Sequence, residues 1–455
     1  MALACLAFGQ WARRILLVAF VCAPFAARAT TVTEPPAARQ AAVSAPRDAQ
    51  PPILGGARVA QLAQASAQLA QGAPPDRGPP DRGKVRVGLI VPLSGPNARI
   101  GRDMLDAAQL ALFDAADEHF VLLPRDDEGT PEGAAKAAAA LLDAGVKLIL
   151  GPLLSASVES VAAPARAAGV PVLAFSTDRS VAGNGVYLLG FLPGSQVERA
   201  VAHAQVQGAR RFAALAPKNP YGNQVIEDFR RAVQAFGAQL GPVRQYEAND
   251  DMKQVVRQLA NYDARKAALA AQRAELRAKK DEASLQALKR LETAETSGPP
   301  DFDALLVAEG GEKLLLLAPL LPYYDIDPGQ VRILGTGLWE NSNVRSEPAL
   351  AGAIFAVPPS APRAAFEKRF RDAYGRESAR LASIAYDGTA LAAVLGKAAP
   401  PDFDAARLTQ RNGFAGVDGV FRLLPTGLAE RGLAILEVQR DGFRIASPAP
   451  EAFNP

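Results

Sequence analysis

Reactive side chains are scarce in this chain: of 455 residues, two are histidine and two are cysteine. Cys5 and Cys22 lie at the extreme N-terminus, and His119 and His203 stand isolated from one another. A Cys/His zinc site needs four closely arranged ligands, so none is expected. A carboxylate-only calcium or magnesium site stays open, although no Asp-rich EF-hand loop is present. A serine hydrolase needs a base beside its nucleophile, and neither histidine accompanies a G-x-S-x-G elbow. Asp126-Asp127-Glu128 is a carboxylate cluster, but Gly129-Thr130-Pro131 carries it into a predicted helix, where acids compensate the N-terminal dipole. Gly78 to Lys84 spells G-x-x-x-x-G-K, yet Val85 follows where a phosphate loop has Ser or Thr. No catalysis, metal or cofactor is expected. What remains is the hydroxyl, amide, ring and carboxylate chemistry of loops. Ser94, Asn97, Ser155, Ser157, Ser176, Thr177, Tyr221, Trp339 and Glu340 are the candidate ligand contacts.

The elements that must position them follow a strand–helix rhythm from Lys84 onward. Val85–Val91 reads as a buried strand closed by Pro92 and a Ser94-Gly95-Pro96-Asn97 turn. Short apolar runs then alternate with amphipathic helices, which predicts βαβ units and a mostly parallel sheet. The alternation restarts after Leu192-Pro193-Gly194-Ser195. The expected fold class is α/β: two three-layer Rossmann-like lobes with an inter-lobe cleft. Lobe one takes residues 84–193 and 357–418, and lobe two takes 194–356 and 419–445. Ligands in open parallel sheets bind outside the carboxyl ends of strands. That gathers Ser94–Asn97, Gly151–Ser157, Ser176-Thr177, Pro217–Tyr221 and Gly335–Asn341 around one cleft. Helix capping and turn chemistry explain Ser155, Ser157 and Thr177 equally well. Residues 262–297 insert a charged, Ala-rich segment whose Lys280-Asp281-Glu282 turn predicts a helical hairpin. Solvated decoration and partner docking are both open to it.

Composition narrows the setting. Basic and acidic residues number 50 and 47, so no basic surplus draws the chain onto nucleic acid. No apolar run approaches the ~20 residues that span a bilayer. Arg13-Arg14, the apolar Ile15–Cys22 and Ala27-Arg28-Ala29 together read as a cleavable signal, which places the mature protein in the periplasm. The arginine pair leaves general and twin-arginine export both open. Val21 stands where a lipid-acceptor cysteine wants Gly, Ala or Ser, so no anchoring through Cys22 is expected. Residues 30–83 are rich in Ala, Pro, Gln and Gly, too poor in apolar surface to offset ordering, and predict a disordered leader.

Several motifs carry a family resemblance. Val87-Gly88-Leu89-Ile90-Val91-Pro92-Leu93-Ser94-Gly95 resembles the opening of type I periplasmic binding proteins of the leucine-binding group. Ile149-Leu150-Gly151-Pro152, Val170-Pro171-Val172-Leu173, Pro220-Tyr221-Gly222 and Tyr386-Asp387-Gly388 follow in the family's order. The resemblance implies a receptor of an ABC importer, with an amino-acid-like ligand and a membrane permease as partners. On it, Ser155 or Ser157 and Ser176-Thr177 would hold a ligand carboxylate, and Tyr221 would line the second lobe. The family's ammonium-binding aspartate has no counterpart in Leu192-Pro193-Gly194-Ser195, and Glu340 would have to compensate. The leader, the hairpin, Gly335-Thr336-Gly337-Leu338-Trp339 and Leu424-Pro425-Thr426-Gly427 look instead like penicillin-binding protein activators. That likeness implies a non-catalytic regulator of peptidoglycan synthesis, its partner a penicillin-binding protein. No counterpart of those proteins' long helical-repeat N-domain is expected in this sequence. Limited proteolysis is expected to trim the segment before Lys84 and leave a stable core; equally fast loss of the region after Lys84 would contradict this organisation.

Overall fold

The computed structural model describes residues 83–453 apart from Ser342 and Ala399. The expected signal, and the leader up to residue 82, lie outside the described residues. β1 (Val85–Val91) is buried along its length except at Arg86, as an interior strand of a parallel sheet must be. β2 (Phe120–Asp126), β3 (Leu148–Leu150), β4 (Val172–Ala174) and β5 (Val186–Leu188) complete an all-parallel sheet in the order β2-β1-β3-β4-β5. Helices Ala98–Ala115 and Ala382–Gly396 pack on one face of it, and Pro131–Asp143 and Ser155–Ala167 on the other. A Cβ at Gly88 would lie 2.6 Å from Leu141, so this glycine sets how closely its helix approaches the strand.

After β5 the chain crosses to a second sheet. β6 (Arg211–Pro217), β7 (Gln239–Tyr246), β8 (Ala304–Val307), β9 (Arg332–Gly335) and β10 (Ile354–Val357) form its parallel part. A second crossing leads to the helix Ser360–Tyr374 and back to the first lobe. There β11 (Phe414–Gly416), β12 (Gly419–Leu423) and β13 (Ala429–Arg431) form a small antiparallel sheet. A third crossing leads to β14 (Ala434–Gln439) and β15 (Gly442–Ser447), which extend the second sheet antiparallel beside β10. The sequence reading returned the chain to lobe two at residue 419. Phe421, Leu423 and Ala429 instead pack in the first core, and the second sheet resumes only at β14.

Trp339, expected at the cleft, is a core residue. Its side chain is fully buried, its indole Nε1 donates to the Glu309 carbonyl at 2.9 Å, and its ring occupies the space that any side chain at Gly335 would need. Aromatic bulk and a satisfied indole N–H make this a packing anchor.

The inserted segment forms two helices, Tyr262–Lys279 and Glu282–Leu291, with Lys280 left-handed at the turn (φ 52°). The Asp281 carboxylate caps the second helix by accepting from Ser284 N at 2.8 Å. Arg265 fastens the base. It donates to the carbonyls of Ala260, Tyr324 and Gly298, to Thr296 Oγ1 and to the Asp325 carboxylate. Beyond that base the hairpin is mostly exposed alanine and charge, so little apolar area links it to the core. Replacing Lys266–Thr293 by a short Gly/Ser linker, with Arg265 and Thr296 kept, is expected to leave the melting temperature within a few degrees. Loss of cooperative unfolding in calorimetry would show that the hairpin is core structure.

Candidate functional site

In each lobe the loops that follow the parallel strands are braced by side chains. In the first lobe the brace is Asp126, at the end of β2. One carboxylate oxygen accepts from the backbone N–H groups of Leu93 (2.8 Å), Ser94 (3.3 Å) and Glu128 (2.7 Å). Burial alone would raise its pKa, but these bonds and the Ser94 hydroxyl outweigh it and hold the carboxyl below its ordinary value. Asp127 is wholly buried, and burial pushes its carboxyl up. The cluster was expected to compensate a helix dipole. It braces the loop instead, and Thr130 caps the helix, its hydroxyl accepting from Gly133 N at 3.0 Å.

The predicted contacts divide accordingly. Ser94 and Thr177 are exposed, and Asn97 is half-buried just before its helix without a side-chain cap bond. The Ser176 hydroxyl accepts from Asp178 N at 3.1 Å, which is turn chemistry. Ser155 also points to Asp178, whose carboxyl is lowered chiefly by its bonds from Ser180. Ser157 is fully buried, and its hydroxyl has no hydrogen-bond partner among the described residues.

In the second lobe the Tyr221 hydroxyl meets Thr336 Oγ1 at 2.8 Å. Burial pushes the Tyr221 phenol up to about 12, against the Thr336 bond and with the charge of Glu309. Glu309, just beyond β8, was not among the sequence candidates. It accepts from the Tyr246 hydroxyl, and Gly310 N holds its other oxygen at 3.0 Å. Its only sequence signal is position: an acid at the cleft-facing end of a buried strand. With two tyrosines around it, this carboxylate has the chemistry to receive a ligand cation.

Charges also join the two lobes directly. Arg179, after β4, pairs with Asp228 in the helix Pro220–Ala235, an aspartate only 3% exposed at its side chain. Glu340, on the turn after β9, faces two first-lobe guanidiniums, Arg363 at 3.6 Å and Arg380 at 3.7 Å. The predicted ligand acid is therefore engaged by the protein itself.

Behind the cleft lies a buried charged hinge. Arg431, at the end of β13, donates to the Leu189 carbonyl at 2.7 Å and lies 3.8 Å from Asp387. Its guanidinium stacks 4.9 Å from the Phe191 ring centre, and Arg380 covers the same ring at 4.0 Å. Arg380 reaches Asp418 at 3.2 Å. Asp387 accepts from Val417 N at 2.7 Å, and a side chain at Gly416 would collide with its carboxylate. Burial, then repulsion from Asp418, raises the Asp387 carboxyl to about 7 despite Arg431.

Comparison with known proteins matches these features of fold. The family model described as Periplasmic binding protein matches residues 84–443. An uncharacterized protein of Rickettsia prowazekii is 21% identical over 178 residues, 39% of this chain and 47% of that one. The penicillin-binding protein activator LpoA of Vibrio cholerae is 27% identical over 144 residues, 31% of this chain and 24% of the activator. The chain thus spans about half the length of the first relative and a quarter of the second. Among solved structures, a putative branched-chain amino acid ABC transporter protein of Rhodospirillum rubrum superimposes with TM-score 0.62 at 17% identity, covering 80% of this chain and 99% of that one. A branched-chain amino acid ABC transporter ligand-binding protein of Burkholderia xenovorans gives 0.58 at 16% identity, covering 81% and 96%. At such identities the likeness is one of fold.

The hinge makes two predictions. Arg431→Met leaves Asp387 buried without its cation and is expected to cost about 3–5 kcal/mol in urea unfolding. Asp387 supplies the pH dependence. Its folded pKa lies above its unfolded value, so the native state binds the proton more tightly. Its contribution is full below pH ~4 and is lost as pH rises through ~7. Asp387→Asn should flatten that fall, and an identical slope in both proteins between pH ~4 and ~7 would exclude Asp387 as its source.

Proposed function

Because the chain belongs to the periplasmic binding protein family, we propose that it is a non-catalytic periplasmic regulator of the penicillin-binding protein activator type, acting on peptidoglycan synthesis through a synthase. One observation carries the reading: the lobes are bridged by the chain's own ion pairs, Arg179–Asp228 and Glu340 with Arg363 and Arg380. A solute receptor closes because its ligand bridges the lobes. Here protein charges already span the gap, so the closed form has support independent of any solute. The 27% identity to the Vibrio cholerae activator agrees with this reading over the matched segment.

A second reading rests on Glu309. This acid, with Tyr246 and Tyr221 around it, favours a receptor for an amino-acid-like ligand that hands its cargo to an ABC permease. Two measurements separate the readings. Glycan polymerisation by the organism's bifunctional penicillin-binding protein should accelerate on addition of the purified chain. Amino acids should leave its melting temperature unmoved, whereas a true ligand at a hundred times Kd stabilises by about 2.7 kcal/mol. An unchanged polymerisation rate with a clear thermal shift for one amino acid would replace the regulator by the receptor.

A further inference from the structure

Resting on the regulator reading, we propose that the helical hairpin Tyr262–Leu291, with Tyr323 at its base, is the surface that docks an acidic face of the partner protein. The argument begins with which charges the hairpin leaves free. Between Ala264 and Ser297 stand eight basic and five acidic residues. Most of the hairpin's acids are engaged within the fold: Asp263 by Arg257, Glu275 by Lys279, Asp281 as the cap, and Glu295 by the Tyr262 hydroxyl. Three bases are engaged as well: Lys279 by Glu275, Arg265 at the base, and Arg273 on the carbonyls that end the second helix. Lys266, Arg277, Lys280, Lys289 and Arg290 remain exposed, and none of their side chains has an ion pair or hydrogen bond among the described residues. The result is an exposed, locally cationic element on a chain of nearly balanced charge.

Apolar anchors accompany the charge. Leu285 is 51% exposed on the second helix, one turn before Lys289. At the base, Tyr323 is 71% exposed, and its ring meets Tyr324, which in turn meets Tyr262 on the first hairpin helix. Exposed aromatic and leucine side chains framed by basic ones are the usual anchors and rim of a protein interface. The bonds of Arg265 and Arg273 hold the hairpin in one pose, which lowers the ordering cost of docking. Leu285 and Tyr323 favour a protein socket over a lipid headgroup layer, which would need only the charges.

The test compares the chain with its Lys280→Glu, Lys289→Glu, Arg290→Glu triple variant and with Tyr323→Ala, all of which alter exposed side chains and should melt like the parent. Association with the soluble periplasmic part of the organism's bifunctional penicillin-binding protein is followed by surface binding kinetics at low and high salt. The triple variant should bind at least tenfold more weakly, mainly through slower association, and lose most of its salt dependence. Tyr323→Ala should instead speed dissociation. Parental binding that the variants leave unchanged overturns the hairpin surface while the regulator reading stands. If the parent itself does not bind, both fall together. Charge-dependent sedimentation with phosphatidylglycerol vesicles, alongside unaltered synthase binding, reassigns the surface to membranes and overturns the proposal.

Discussion

The buried guanidinium of Arg431 ties together the ends of two of the chain's crossings between the lobes. The chain crosses between the lobes three times, and Arg431 stands just before the third crossing with its donor on Leu189, just before the first. Phe191, on that first crossing, lies between Arg431 and Arg380. Arg380 in turn faces Glu340 across the cleft, beside Arg363 at the start of the helix that follows the second crossing. Desolvated cations tolerate this position only with anions beside them, hence Asp387 beside Arg431 and Asp418 beside Arg380, both aspartates fully buried at their side chains. Such a cluster contributes little net stability compared with apolar packing. Its effect is geometric, because each charge accepts few arrangements of the strands around it.

From that hinge the character of the cleft follows. The cations that face the gap are already matched, Arg363 and Arg380 by Glu340 and Arg179 by Asp228. The Glu340 contacts, at 3.6 and 3.7 Å, are ion pairs longer than a hydrogen bond, so they hold the lobes with modest force and are open to competition. Glu309 is held differently, by a phenol and a backbone amide rather than a cation. The two acids sit on the same lobe but are held differently: one pairs with guanidiniums of the other lobe, the other only with groups of its own.

The legible part of this architecture was local. Strand and helix alternation depends on side-chain period, and the buried strands, the turn at Lys280 and the switch near Pro193 follow from neighbours in sequence. Trp339 was misplaced because a tryptophan in a Gly-rich loop reads as exposed; Gly335 removes a side chain and lets the ring fold into the core. Asp126 was misread because its partners, Leu93 and Ser94, belong to another strand's loop. The cluster of Asp387, Asp418 and Arg431 carries no spacing that a sequence could reveal. All three lie between the second and third crossings, and only the packing of the small sheet against the helix Ala382–Gly396 brings them together.

Topology also separates the hairpin from the cleft. In parallel strands the carboxyl ends face the cleft and the amino ends face away. Residues 262–297 enter β8 at its amino end, as Ala304 begins the strand that Glu309 follows at the other. An insertion there lengthens a connection on the side remote from the ligand loops and leaves their geometry alone. Loop lengthening costs little once both ends are pinned, and Arg265 pins them together through Thr296 and Asp325. The second lobe therefore presents two independent faces. A partner on the hairpin would leave the cleft free to open or close, and motion at the Arg431 hinge would carry the hairpin with its lobe as one body.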